Sequence, residues 1–306
     1  MTASAVRRRR SAFAAGLATI AMALGFAAIP AEAAPQAKTD YVALGDSYTA
    51  GTGAGAAYRP DGVACWQSTP GYVNVVGRTG RVNPVANAAC HGAVLSTLSP
   101  AYDHVIFTPT VEQQLAGLVF SQKISPDTEL VSITAGANDL GFSLVLGGCA
   151  ASIEPVCAGY IGQATSPTAL GMLSTGLVQT YAAIHAVAPN AKIAVMGYPL
   201  LFEPTSQFAP IPATNQVLMN QATVTVNATI ASAVIAANTA HHVNAQYVDV
   251  TAVFTGHAVN SEVPWLVLDA AQPTPDYNFH PNKAGHSQGY AAALMSAVKP
   301  AQLARQ

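Results

Sequence analysis

Four short segments of the chain contain residues that could together carry out nucleophilic chemistry on a carbonyl group. Ser47 supplies a hydroxyl, which becomes an effective nucleophile when a neighbouring base removes its proton. His280 could take that proton and later return it to a leaving alcohol. The backbone N–H of Gly92 and the side-chain amide of Asn138 could donate hydrogen bonds to the oxyanion that forms. Together the four residues predict acyl transfer through an acyl-serine intermediate.

Each of these segments has a more ordinary interpretation when it is taken alone. The Gly-Asp-Ser-Tyr sequence at residues 45–48 could be a polar turn, and Gly92 could be a turn glycine. Asn138 could cap a helix, and His280, which precedes a proline, could lie in an ordinary loop. The order of the four segments and their positions favour the chemical interpretation, because three of them directly follow predicted strands.

The segments that must position these residues alternate between strand-like and helix-like patterns. Short apolar, β-branched runs predict strands at residues 41–44, 82–88, 130–134, 192–196 and 245–250. Helical periodicity lies between the predicted strands, at residues 170–184, 214–239 and 283–298. In the range 214–239 the recurring apolar positions are Val217, Val224, Ala231 and Ile235. This alternation predicts an α/β fold with a parallel sheet and helices on both faces. The functional site of such a sheet lies at the carboxyl ends of the strands.

The composition of the 306-residue chain excludes several classes of protein. Hydrophobic residues make up 51% and charged residues 9%, which is the opposite of a disordered chain. Lys and Arg total 13 against 15 for Asp and Glu, so no basic surface is left for binding nucleic acid. A single long uncharged apolar stretch argues against a polytopic membrane protein.

That stretch lies at the N-terminus and has the form of a secretory signal. A basic run at residues 7–10 precedes uncharged residues 11–31, and Ala31-Glu32-Ala33 resembles a cleavage site. We interpret residues 1–33 as a signal peptide, residues 34–306 as one domain and the mature protein as extracellular. The alternative is an uncleaved anchor, because the apolar run is long enough to span a bilayer.

Four cysteines remain in the mature chain, at Cys65, Cys90, Cys149 and Cys157. None has the Cys-x-x-Cys spacing of a zinc or redox site. An even number in an exported chain indicates two disulfides, and three pairings are possible. The simplest joins Cys65 to Cys90 and Cys149 to Cys157.

The set of motifs resembles the GDSL-type lipases and esterases of the SGNH hydrolase superfamily, in their secreted actinobacterial form. The resemblance extends from Asp40 to the end of the domain. It implies a three-layer α/β/α, flavodoxin-like fold with a five-stranded parallel sheet. It also implies that Ser47 is the nucleophile and one oxyanion donor, that Gly92 and Asn138 are the other donors, and that His280 is the general base. No metal or organic cofactor is implied.

The sequence departs from the family at the third member of the triad. The usual pattern is Asp-x-x-His, but Tyr277 stands three residues before His280, and the nearest acid, Asp276, is one place earlier. Asp276 could still orient the histidine through a different loop bend. Alternatively, the main-chain carbonyl of Tyr277 could accept the hydrogen bond, and the register favours this second solution.

The prediction from sequence is therefore a secreted serine esterase or lipase that hydrolyses acyl or lipid esters. Two alternatives remain open: an acyltransferase that uses the same site, and a secreted binding domain with an idle site. All four chemical roles are represented, which argues against the idle site. The apolar excess that remains after the signal is removed predicts an apolar acyl pocket beside Ser47 and peripheral contact with lipid aggregates.

Overall fold

The computed structural model describes residues 37–60, 65–150, 152–208, 210–269, 271–272 and 276–304. The predicted signal peptide, residues 1–33, lies outside the described residues.

A five-stranded parallel sheet forms the centre of the fold. Its strands are β1 (Thr39–Gly45), β4 (Val82–Asn87), β5 (Leu130–Thr134), β6 (Lys192–Met196) and β7 (Ala245–Val248), in the spatial order β4-β1-β5-β6-β7. Two short strands, β2 (Ala57–Tyr58) and β3 (Gln67–Ser68), pair separately in antiparallel fashion. Because β4 lies at the edge of the sheet, its Pro84 is tolerated there. The predicted five-stranded parallel sheet is confirmed; β5 and β6 have the predicted bounds, and β7 ends two residues early.

Helices cover the sheet in two groups. The helices are α1 (Ser47–Ala50), α2 (Tyr72–Gly77), α3 (Val111–Phe120), α4 (Phe142–Cys149), α5 (Glu154–Ala164), α6 (Pro167–Val187), α7 (Ala213–His241) and α8 (Ala292–Val298). A π-helix (Gly285–Ala291) leads into α8, and a 3₁₀ turn (Pro300–Gln302) follows it. In one group α2 packs with the π-helix and α8; in the other α3, α6 and α7 pack together. The three-layer α/β/α architecture is therefore confirmed.

The longest helix, α7, does not use the face that the sequence predicts. Val217, Val224 and Ile235 are exposed, whereas amide side chains such as Asn215 and Asn227 are buried. Asn227 bonds both the N–H and the carbonyl of Tyr198, at 2.9 and 2.8 Å. The inward face of α7 therefore binds the backbone of a neighbouring loop through its amide side chains, in addition to packing against the apolar core. Among the described helices, α7 alone is long and apolar enough to cross a membrane, yet here it packs against α6 and β7.

The functional edge of the sheet lies where β1 and β5 end. From β1 the chain crosses to β4 on one side, and the later strands continue on the other, so the β1/β5 boundary is the topological switch point at which such folds bind ligands. Gly45 of β1 lies opposite Thr134 of β5 at this edge. The side-chain amide of Gln114 in α3 binds both backbone groups of Gly45. Its oxygen accepts from the Gly45 N–H at 2.8 Å, and its nitrogen donates to the Gly45 carbonyl at 3.0 Å.

The two disulfides lie near this same edge. Cys65 is joined to Cys90, which follows β4, and Cys149 at the end of α4 is joined to Cys157 in α5.

Gly45→Ala should be strongly destabilising, because Gly45 has φ +131° and a Cβ there would lie 2.2 Å from the carbonyl oxygen of Thr134. We expect the free energy of unfolding in urea to fall by about 3 kcal/mol or more. Gly80→Ala is the matched control, because Gly80 also has positive φ but its Cβ would meet nothing within 4 Å. That control should cost only about 1 kcal/mol. Equal losses in the two variants would contradict the close approach of β1 and β5.

Candidate active site

Ser47 stands at the sharp turn between β1 and α1. It is the first residue of α1, and Asp46 caps the helix by accepting from the N–H of Tyr48 at 3.0 Å. The Ser47 side chain is nearly buried. The strand–turn–helix geometry therefore fixes the hydroxyl at the carboxyl end of β1.

Asp46 is a buried carboxylate that serves this turn structurally. Besides the Tyr48 amide, it accepts hydrogen bonds from the hydroxyls of Thr134 and Tyr198, each at 2.5 Å. Burial raises the pKa of Asp46 to about 6, while these hydrogen bonds act in the opposite direction. These three hydrogen bonds use both of its oxygens and join α1, β5 and the loop after β6.

His280 lies against Ser47 although 233 residues separate them in the chain. Its Nε2 is 2.7 Å from the hydroxyl oxygen of Ser47, and its Nδ1 is 2.9 Å from the carbonyl oxygen of Asn278. A carbonyl can only accept a hydrogen bond, so Nδ1 carries the hydrogen and Nε2 presents its lone pair to the serine hydroxyl. This is the tautomer that a general base toward Ser47 requires.

In the structure the carbonyl that accepts from Nδ1 is that of Asn278, the residue after Tyr277, and Asp276 makes no hydrogen bond to the ring in the described residues. The Tyr277 carbonyl accepts from the backbone N–H of His280 at 3.2 Å, and together with the Asn278 carbonyl it acts to raise the pKa of the ring against the effect of burial. The physical reason is Phe279, whose φ of +60° turns the chain back so that the Asn278 carbonyl meets the imidazole. A bulky residue in this conformation is a true outlier that its surroundings must enforce.

Tyr48, the residue after the serine, holds this unusual turn. Its hydroxyl donates to the carbonyl of Phe279 at 2.7 Å, and its ring centroid lies 5.2 Å from that of His280. The N–H of Phe279 in turn donates to the carbonyl of Val267 at 2.7 Å. The turn that carries Ser47 and the loop that carries His280 are therefore tied together directly.

Three candidate oxyanion donors surround the serine. In the described part of the chain, the N–H groups of Ser47 and Gly92 donate to no protein acceptor. Gly92 has φ +76° with open space where a Cβ would be, so its backbone conformation, more than crowding, favours glycine. Asn138 uses one hydrogen of its amide on the carbonyl of Ala93, at 2.9 Å, which orients the group. All three residues line the same cavity as His280.

Sequence reasoning missed three contributors to the site: His91, Tyr198 and Asp139. The His91 ring centroid is 5.3 Å from that of His280, and His91 lines the cavity. Asp139 accepts from the N–H of Leu95 and so joins the Asn138 turn to the segment after Gly92. Adjacency to Gly92 and Asn138 could have pointed to His91 and Asp139; nothing local points to Tyr198.

Burial dominates the electrostatics of the histidine. Together with the neighbouring His91, burial lowers the pKa of His280 to about 3, and burial also lowers the pKa of His91. The imidazole is therefore neutral at ordinary pH, and the same burial makes its protonated form costly. A second buried histidine, His286, accepts from the N–H of Tyr72 and bonds the Thr52 carbonyl, so both of its ring nitrogens are used structurally.

An apolar cavity of about 480 Å³ opens beside Ser47. Side chains from the Asn138 turn, α4, α5 and α7 form its walls, including Leu140, Phe142, Val145, Ile161, Met219 and Val226. The volume and composition match a small-molecule site with a few polar groups at one end. Within the described residues, no group of three His, Cys, Asp or Glu side chains is placed to hold a metal ion.

The chain is similar to known proteins over most of its length. The profile of the GDSL-like Lipase/Acylhydrolase family matches residues 43–288. A Streptomyces rimosus protein named Lipase is 32% identical over 296 residues, covering 95% of this chain and 98% of that protein. Lipase 1 of Streptomyces coelicolor is 32% identical over 283 residues, covering 90% and 93%.

Two solved structures share the fold over most of the chain. The crystal structure of an extracellular lipase from Streptomyces rimosus has a TM-score of 0.66 at 30% identity, covering 85% of this chain and all of that one. The crystal structure of phospholipase A1 from Streptomyces albidoflavus has a TM-score of 0.68 at 27% identity, covering 85% and 99%. Since the family profile spans most of the sequence and the relatives match nearly end to end, the chain belongs to the GDSL-like lipase/acylhydrolase family and is an ester-hydrolysing enzyme of that family.

Proposed function

We propose that this hydrolase works through a Ser47–His280 dyad oriented by a main-chain carbonyl, and that its substrates are acyl esters of lipids. The observation that carries the proposal is the 2.7 Å hydrogen bond between the Ser47 hydroxyl and His280 Nε2 at the polar end of an apolar cavity. A nucleophile and base in hydrogen-bond contact are the signature of covalent acyl transfer. The same contact argues against an idle site.

In the acylation step, the Ser47 oxygen attacks the ester carbonyl carbon while its proton passes to His280 Nε2. The carbonyl oxygen becomes an oxyanion, which the N–H groups of Ser47 and Gly92 and the amide of Asn138 stabilise. The imidazolium then gives its proton to the leaving alcohol, and the acyl group stays on the serine. All the proton transfers use one nitrogen, because Nδ1 remains bonded to the Asn278 carbonyl.

In the deacylation step, water takes the place of the alcohol. His280 removes its proton, the hydroxide adds to the acyl carbonyl at the same donors, and the carboxylic acid leaves as the proton returns to the Ser47 oxygen. A carbonyl at Nδ1 fixes the tautomer but stabilises the imidazolium less than a carboxylate would. Since burial also disfavours the charged ring, the oxyanion donors must supply much of the transition-state stabilisation.

The apolar cavity supports an acyl chain as the part of the substrate that the protein buries. The relatives are named lipases, and a structural neighbour is a phospholipase A1, which supports a lipid ester as the substrate class. Large apolar side chains on the loop before α3, namely Val105, Ile106 and Phe107, are exposed, which fits peripheral contact with lipid aggregates.

Export is the localisation that we propose. A signal peptide at residues 1–33 followed by a hydrolase domain at residues 34–306 would deliver the enzyme outside the cell. The name of the Streptomyces rimosus neighbour, an extracellular lipase, supports this assignment.

Ser47→Ala should lower kcat for p-nitrophenyl butyrate by about 10³-fold or more, because no other hydroxyl meets His280 Nε2 in the described residues. Circular dichroism and thermal unfolding should show an intact fold. Ser143→Ala is the matched control, because Ser143 lines the same cavity but is not among the hydrogen-bond partners of the His280 ring in the described residues. Turnover retained by Ser47→Ala would refute the proposed nucleophile.

Asn138→Ala should lower kcat by about 10²–10³, the usual loss for one oxyanion donor. Asn138→Asp should be at least as damaging, because it replaces the donor with a charge that repels the oxyanion. Steady-state kinetics on the same ester separate the two parameters. A change confined to KM in both variants would assign Asn138 to ground-state binding instead.

Asp276→Asn should leave kcat almost unchanged, because the Nδ1 of His280 is bonded to the Asn278 carbonyl and Asp276 has no hydrogen bond to the ring. The charge of Asp276 acts instead on His91, whose pKa it raises against the effect of burial. A loss of about 10⁴, as expected when a triad carboxylate becomes an amide, would show that Asp276 orients the base after all.

A further inference from the structure

A second apolar depression lies beside the catalytic cavity. It has a volume of about 850 Å³ and is bounded by residues 95–101, α4, α5 and the first half of α6. Its large apolar side chains are unusually open to solvent: Leu98 is 90% exposed, Leu144 70% and Met172 47%. We call this depression, defined by Leu98, Leu144, Tyr160 and Met172, the side groove. Clustered apolar exposure of this kind marks a site that another apolar molecule covers.

The side groove shares a wall with the catalytic cavity. Leu140, Val145 and Ala164 line both depressions. Leu144 and Met172 line only the side groove, whereas Phe142 lines only the cavity. The first turns of α4 therefore form a ridge, with the catalytic cavity on one side and the side groove on the other.

The ridge begins at the candidate oxyanion donor. Asn138 lines the cavity, the next residue, Asp139, lines the side groove, and Leu140 lines both. Two consecutive steps along the chain span at most about 7.6 Å between Cα atoms. A carbonyl bound at Asn138 therefore lies close to the point where the two depressions meet.

The lining of the side groove suits a hydrocarbon chain better than a charged group. Among the described residues that line it, only Asp139 carries a charge, and both of its oxygens accept from the N–H of Leu95, at 3.1 and 3.3 Å. No lysine or arginine lines it in that same part of the chain, so it offers no cation to a phosphate. The rest of the lining is apolar side chains, small residues and neutral polar groups.

We propose that the side groove binds the second acyl chain of a glycerolipid while the first chain occupies the catalytic cavity. This inference rests on the proposed function. In a glycerolipid the two esters are on neighbouring carbons, so the second chain starts next to the carbonyl that Ser47 attacks. Its path across the Asn138–Leu140 ridge leads into the groove, where each methylene group removed from water favours binding.

The experiment uses soluble esters, so that binding to a lipid surface does not contribute. The full-length mature enzyme is assayed with dihexanoylglycerol and monohexanoylglycerol, and with the corresponding two-chain and one-chain phosphocholine lipids, all below their critical micelle concentrations. The variants are Leu144→Glu and Met172→Glu, which place a charge in the side groove. Ile235→Glu is the matched control, because Ile235 is 67% exposed on α7 and lines neither depression.

We expect the wild-type enzyme to have a higher kcat/KM for the two-chain ester of at least one pair. Leu144→Glu and Met172→Glu should lower that value by about tenfold or more while leaving one-chain esters and p-nitrophenyl butyrate near wild type. Ile235→Glu should leave kcat/KM near wild type for both the one-chain and the two-chain esters. The inference is overturned if the wild type treats one-chain and two-chain esters alike, or if the groove variants lower both equally. Turnover of p-nitrophenyl butyrate reports separately on the Ser47–His280 proposal.

Discussion

The hydrogen bond from the Tyr48 hydroxyl to the Phe279 carbonyl is the constraint on which the site depends. The left-handed conformation of Phe279 is costly for a bulky residue, and it persists because Tyr48 and Val267 bind its carbonyl and its N–H. Without that turn the Asn278 carbonyl would not face the imidazole, and Nε2 would have no fixed orientation toward Ser47. The two halves of the dyad are thus positioned by a single pair of neighbouring backbone turns.

Two buried carboxylates near Ser47 and His280, those of Asp46 and Asp139, hold neighbouring loops in place. Asp46 joins α1 to β5 and the loop after β6, and Asp139 joins the Asn138 turn to Leu95. Burial raises the pKa of each to about 6. Because the folded-state pKa lies above the unfolded value, the shift itself favours the fold at low pH and ceases to do so as pH rises through about 6. At neutral pH the burial of each carboxylate therefore opposes folding, while its hydrogen bonds fix the geometry of the loops.

Sequence patterns predicted the sheet and pointed to four residues that the structure brings to one cavity, because both depend on short-range signals. A strand buried on both faces is a continuous apolar run, as in β5, and the residues that follow such strands meet at one edge. The Nδ1 partner could not be predicted, since no local residue type favours a left-handed Phe279. The inward face of α7 was also missed, because Asn227 there serves the backbone of Tyr198 instead of an apolar core. Both features arise where a polar contact between distant segments overrides local preference.

The two disulfides have a consequence for how the enzyme is produced. One ends at Cys90, two residues before Gly92, and the other joins α4 to α5, which wall the acyl cavity and the side groove. Neither crosses the central sheet. A reducing host cell would remove both covalent ties, each of a kind that contributes about 2–4 kcal/mol. The segments that would lose them are the one before Gly92 and the walls of the two depressions, so the redox history of a preparation belongs among its assay conditions.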